Sequence, residues 1–128
     1  MKIPKFEAQT EWVKPSEFPD LRHVDEIAID LETKDPDLLK KGSGSVIKNG
    51  EVIGIAVATK HFKGYFPIAH EGGGNMDRSR VMSWLKDILE SPCTKVFHNA
   101  MYDVCWLRAM GFKINGDIAC TCLLYTSD

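Results

Sequence analysis

The chain has 128 residues, is 44% hydrophobic and 27% charged, and carries a formal net charge of −2. That length and composition fit one globular domain and argue against a second, and the charge argues against a tight nonspecific electrostatic hold on nucleic acid without excluding a nuclease, whose acidic site is itself negative. No apolar run approaches the length of a membrane span, Met1-Lys2-Ile3-Pro4-Lys5 lacks the apolar stretch of a signal peptide, and Cys93, Cys105, Cys120 and Cys122 show no C-x-x-C spacing, so they read as free thiols in a reducing cytoplasm rather than zinc ligands.

In chain order, residues 1–23 carry Pro4, Pro15 and Pro19 and read as an extended arm anchored by Trp12 and Phe18. A first strand is predicted over about 25–32 and a flexible loop over 40–45, where Lys40 and Lys41 read as solvated rather than as phosphate contacts. Asn49-Gly50 marks a tight turn into a strand over about 51–59. A third strand runs over 64–68, followed by Glu71-Gly72-Gly73-Gly74-Asn75, which lacks the Gly-Lys-Ser/Thr ending of a phosphate loop and reads as a mobile connection. Asn75 or Asp77 caps the next helix, whose stripe Val81, Trp84, Leu85, Ile88 and Leu89 is core and whose end is marked by Pro92. Lys95-Val96-Phe97 is a short strand, and a helix over about 100–110 stops at Gly111. Asp117 follows a turn and reads as a cap rather than a ligand. Alternating strands and helices predict an α/β domain with a mixed sheet flanked by helices.

The chemistry concentrates at Asp30-Leu31-Glu32-Thr33. Residues i and i+2 of a strand share a face, so Asp30 and Glu32 set two negative charges side by side, a conflict that a hard divalent cation with oxygen ligands removes. Alone, such a pair is more often solvated than metal-binding. Asn99 and Asp103, four apart and so on one helical face, supply a further carboxylate just after a neighbouring strand. His98 and His70 read as packing or structural residues, and Arg108 as a solvated one on the far side of the helix from Asp103.

At these residues the chain resembles a known family. Asp30-Leu31-Glu32-Thr33 is similar to the first motif, and Asn99-Ala100-Met101-Tyr102-Asp103 to the second, of the 3′-5′ proofreading exonuclease domain of family A DNA polymerases; Val52–Val57 and Gly64–His70 resemble that family's second and third strands. The resemblance runs from about Asp25 to about Ala119 in the family's order, with Asp117 similar to a family position that starts the next helix. It implies a ribonuclease H-like fold and two-metal hydrolysis of DNA 3′ ends, single-stranded or frayed, with two Mg²⁺ or Mn²⁺ ions. Asp30 would bridge both ions, Glu32 would ligate the first and Asp103 the second, with Thr33 and Asn99 positioning the terminal nucleotide. The same resemblance implies a cytoplasmic monomer of a bacterial or phage-infected cell, normally fused to a polymerase domain, and more phage-type than bacterial.

The chain departs from that pattern at its end. The family's third motif, Tyr-x-x-x-Asp, is absent, because Tyr125 is followed by Thr126, Ser127 and Asp128. Residues 24–121 therefore read as a partial exonuclease domain, nearly inactive alone, with part of the sheet and the Trp106, Leu107 and Met110 face uncovered. Cys122–Asp128 looks like the in-frame translation of a transposon-end sequencing adapter, TGTCTCTTATACACATCTGAC, and reads as an appended tail. The rival enzyme class is an RNA-trimming relative of ribonuclease D. The rival outside enzymes is a nonhydrolytic nucleic-acid-binding module, against which three acidic residues on one face speak.

Overall fold

The structure is a computed structural model that describes residue 15 and residues 17–47 and 49–121. Within them the elements run β1 (Glu26–Lys34), α1 (Leu38–Lys41), α2 (Gly44–Ile47), β2 (Glu51–Ala58), β3 (Lys63–Pro67), α3 (Arg78–Glu90), β4 (Thr94–Phe97), α4 (Ala100–Ala109) and β5 (Ile118–Cys120). The sheet has the order β3-β2-β1-β4-β5. β1 pairs antiparallel with β2, and β2 with β3, while β1 pairs parallel with β4 and β4 with β5. This is the mixed sheet that the strand and helix alternation predicts, with α3 as the crossover between the antiparallel edge and the parallel half.

The strand period of two decides the core. Ile27, Ile29 and Leu31 of β1 are buried on one face, together with Ile55 and Val57 of β2, Phe66 of β3 and Phe97 of β4. Val81, Leu85, Ile88 and Leu89 of α3 are buried in the same cluster, each fully buried aliphatic side chain contributing about 1.5–3 kcal/mol. The helix begins where expected: Asp77 is its N-cap, accepting from Ser79 N at 3.0 Å. The segment before β1 lies on this core through Phe18, stacked on Phe66 at 5.8 Å, and through Trp84 Nε1, which donates to the Pro19 carbonyl at 2.7 Å. Trp12 and the tail Cys122–Asp128 lie outside the described residues. Lys95 is buried with its ammonium donating to the carbonyls of Ser91 and Asn115, so its charge ties the end of α3 to the turn before β5.

Three local expectations are corrected. The stretch predicted as a flexible loop over 40–45 folds into the short helices α1 and α2. The cause is side-chain bonding from upstream acids: both carboxylate oxygens of Asp35 accept from Gly44 N, at 3.0 and 2.9 Å, and the Asp37 carboxylate accepts from Asn49 Nδ2 at 2.5 Å. Of the face of α4 expected to be partly uncovered, Trp106 and Leu107 are covered instead, only 6% and 0% exposed with α2 packed against α4, while Met110 is half-buried. Finally, Asp117 precedes a strand rather than a helix, because its carbonyl accepts from Lys95 N and sets β5 beside β4. α4 itself ends as predicted, with Gly111 at φ 93°, a conformation that favours glycine at a helix end. Among the described residues, no helix is long and apolar enough to cross a membrane.

Candidate active site

The face of β1 opposite the core carries Ala28, Asp30 and Glu32, and Asp30 and Glu32 are half-buried. Their register partners on β2 are Ala56 and Gly54, so the carboxylates look out over a floor of small residues. Asp103, in the first turn of α4, is 3% exposed and meets β1 from 72 positions away, its Oδ2 accepting from Leu31 N at 3.5 Å. That distance is at the long limit of a hydrogen bond. It leaves the Asp103 carboxylate poorly compensated.

The electrostatics follow from that placement. Burial, and after it the charge of Asp30, push the Asp103 carboxyl up from its ordinary 3.8, the Leu31 N–H pulls it partly back, and the net result is about 7. Asp30 is also raised, first by burial and further by Glu32, against a lowering influence of His98. Carboxylates that push one another toward protonation are an oxygen-donor set for which a hard cation would substitute for the protons. As placed, among the described residues, no group of three or more His, Cys, Asp or Glu side chains is close enough to hold a metal ion.

Thr33 and Asn99 flank these carboxylates differently. A register shift in the β1–β2 pairing falls between Glu32 and Thr33. The Thr33 hydroxyl lies 2.8 Å from Tyr102 Oη, which donates to Asp35 Oδ2 at 2.8 Å. Because Tyr102 has one proton and spends it on Asp35, Thr33 donates to Tyr102. Asn99 is not on the helix face with Asp103 but at the N-cap of α4, where its carbonyl accepts from Asp103 N and its exposed side chain makes no capping bond. His98 is exposed and bonds Thr121 Oγ1 through Nδ1 at 3.1 Å; Arg108 is exposed as expected.

The sequence reading missed a second contact to the acidic pair. Tyr65 of β3 donates its hydroxyl to Glu32 Oε2 at 2.8 Å across the intervening strand, and the same hydroxyl is hydrogen-bonded to His70 Nε2. The available signal was positional: Tyr65 pairs with Ala56, which pairs with Asp30, so all three side chains share one face of the sheet.

A mixed β3-β2-β1-β4-β5 sheet with helices packed on it is a ribonuclease H-like scaffold. Residues 17–123 match the family model described as 3′-5′ exonuclease, and the chain belongs to that family, the exonuclease domain of family A DNA polymerases. Over 81 residues it is 41% identical to a DNA-directed DNA polymerase of Pseudomonas phage M6, a match covering 60% of this chain and 12% of that protein. Among solved structures it is similar to Brucella melitensis NrnC with bound Mg²⁺, at TM-score 0.51 and 21% identity over 85% of this chain and 49% of that one. It is also similar to the Aedes aegypti Nibbler EXO domain, at TM-score 0.56 and 15% identity over 84% of this chain and 48% of that one. The chain thus spans about half of each solved structure and 12% of the phage polymerase. At these identities the two structures carry the ribonuclease H-like fold alone.

Proposed function

We propose that Asp30, Glu32 and Asp103 bind two divalent ions, Mg²⁺ or Mn²⁺, and that the site hydrolyses the terminal phosphodiester at a single-stranded or frayed DNA 3′ end. The observation that carries this reading is the meeting of Asp103 with β1 beside Asp30, where burial and then the Asp30 charge raise its carboxyl to about 7. When bound, the ions supply a nucleophile from water near neutral pH and stabilise charge on the leaving 3′ oxygen. Asp30, Glu32 and Asp103 would be the carboxylates that hold the ions, with Asp30 shared between them and Glu32 and Asp103 each serving one. Thr33, held by Tyr102, and Asn99, exposed at the mouth of α4, contact the terminal nucleotide. A frayed end suits the site because a paired terminus must first melt.

The family and the phage relative support a proofreading role beside DNA synthesis, in a monomer that continues into a polymerase domain, in the cytoplasm of a bacterial or infected cell. The exonuclease unit is residues 24–121, and the nucleotides that encode 122–128 decide whether those residues are an appended tail. The 128-residue chain, with no Tyr-x-x-x-Asp after Asp103, is expected to be nearly inactive by itself, since losing one ligand of such a site costs several kcal/mol of transition-state stabilisation. The test is trimming of 3′- and 5′-labelled DNA and RNA oligonucleotides in Mg²⁺ by the longest product of the gene. Loss of DNA from the 3′ end, abolished by Asp30→Ala, Glu32→Ala or Asp103→Ala, is the expected result. Preference for structured RNA would favour the ribonuclease D-like class, and indifference to Asp30→Ala would show the site misassigned.

A further inference from the structure

Glu32 is the carboxylate with the least help from its own element. It is the last acidic residue on its face before the register shift at Thr33, and its neighbour across β2 is a glycine, which offers no side-chain donor. A glutamate has three rotatable bonds, so an unheld Glu32 would sample orientations that turn its oxygens away from Asp30. The structure holds it from two strands away. Tyr65 on β3 reaches over Gly54 and donates to Glu32 Oε2 at 2.8 Å.

The reach depends on Gly54. A Cβ at that position would lie 1.8 Å from Tyr65 Oη and 2.3 Å from its Cζ, distances no side chain tolerates, so any other residue would displace the ring. The Tyr65 hydroxyl is also held from behind. It has one proton, given to an acceptor-only carboxylate, so its second bond must be accepted, and the donor is His70 Nε2. The imidazole meets the Tyr65 ring edge-on, centroids 5.6 Å apart at 77°. The backbone of His70 is clamped in turn, because His70 N donates to Asn75 Oδ1 at 2.8 Å and Asn75 Nδ2 donates to the His70 carbonyl at 2.9 Å. This closes the glycine-rich turn that resembled a phosphate loop and gives it another task.

We propose that Tyr65, seated over Gly54 and backed by His70, is a positioning residue that fixes Glu32 Oε2 and leaves Oε1 to take a divalent cation. This deepens the metal-site reading above and rests on it. A single donated bond to one oxygen suits a monodentate ligand, and each link of the relay points its proton toward the carboxylate. The relay orients a ligand rather than touching substrate, and outer partners of this kind are worth about 10–100-fold in metal affinity.

The experiment titrates Mn²⁺ alone into the 128-residue chain at pH 8, followed by calorimetry and by the paramagnetic resonance signal of free Mn²⁺, for wild type, Tyr65→Phe, Gly54→Ala and Glu32→Ala. Tyr65→Phe is expected to weaken Mn²⁺ binding about 10-fold or more while still unfolding cooperatively, and Gly54→Ala to weaken it likewise by displacing the ring. The double variant Gly54→Ala/Tyr65→Phe should be no worse than the weaker single. Wild-type affinity in Tyr65→Phe, while Glu32→Ala loses binding, overturns the positioning role and leaves the metal site standing; unchanged binding in Glu32→Ala overturns both. Should Tyr65→Phe not fold, nitrogen-15 spectra of wild-type His70 decide, since a bare Nε2 at pH 8 is incompatible with the relay.

Discussion

The two faces of β1 place opposite demands on one backbone. Ile27, Ile29 and Leu31 point into the α3 side and are buried there, while Asp30 and Glu32, one residue out of step, point over Ala56 and Gly54 and into mutual repulsion. The first face contributes to folding and the second draws on it. Nine residues of strand therefore carry both the stability of the domain and the strain that a cation would relieve. Substitutions on the two faces should differ in sign, and that difference can be broken experimentally.

The largest effect is expected at Ile29, fully buried beside α3. Ile29→Ala should cost about 2–5 kcal/mol through lost transfer energy and a residual cavity, whereas Asp30→Asn, next to it in sequence, should leave metal-free stability unchanged or raise it. Urea unfolding of both variants at pH 8 in a chelator checks this. Equal losses would mean that the acidic face is not strained.

A smaller effect of opposite sign is expected at Asp103. Its carboxyl is raised from 3.8 to about 7, chiefly by burial, so the folded state holds a proton that the unfolded state gives up. Below about pH 4 both states are protonated and the group costs nothing; between 4 and 7 stability falls as pH rises; above 7 the full cost of the buried charge is present. Asp103→Asn should thus stabilise the metal-free protein by up to about 4 kcal/mol at pH 8 and by almost nothing at pH 4. The variant-minus-wild-type difference in unfolding free energy across that range is the measurement, and a difference independent of pH would refute the assignment. Mn²⁺ should stabilise wild type at pH 8 through binding to the folded state and leave Asp103→Asn nearly unmoved.

What could be read from the sequence divides along the same line between local pattern and cross-strand contact. The alternation of β1, the stripe of α3, the Asp77 cap and the Gly111 stop are properties of a few adjacent residues, and each matched the structure. Asp30, Glu32 and Asp103 stood out because carboxylates at the ends of apolar elements are chemically conspicuous. α1 and α2 were hidden because their cause is a carboxylate nine positions upstream of Gly44. β5 was hidden because three residues, one exposed and two half-buried, show no alternation and become a strand only by pairing with β4. Tyr65 was hidden for the most physical reason: its contact with Glu32 exists only once three strands have taken their register and Gly54 has left the space above it.

The smallest expected effect separates the acidic face from the network beside it. Tyr102 Oη accepts from Thr33 and donates to Asp35, and Asp35 holds Gly44 N with both oxygens, so this relay runs away from the metal-binding carboxylates into α2. Tyr102→Phe removes two hydrogen bonds at once, but Asp35 keeps its backbone donor and Thr33 is half-exposed, so water replaces part of what is lost. The cost to stability should be about 1 kcal/mol. Mn²⁺ affinity should stay within about twofold of wild type, because no carboxylate of the metal set loses a partner. The freed Thr33 hydroxyl should instead show in substrate binding, as a KM for single-stranded DNA raised a few-fold, on the order of 1 kcal/mol, with kcat kept. Thermal melts, Mn²⁺ titration and initial rates on one labelled oligonucleotide measure the three together. A loss of Mn²⁺ affinity in Tyr102→Phe as large as that in Asp103→Asn would merge the two regions into one site and remove the distinction between the ligand set and the residues that seat the nucleotide.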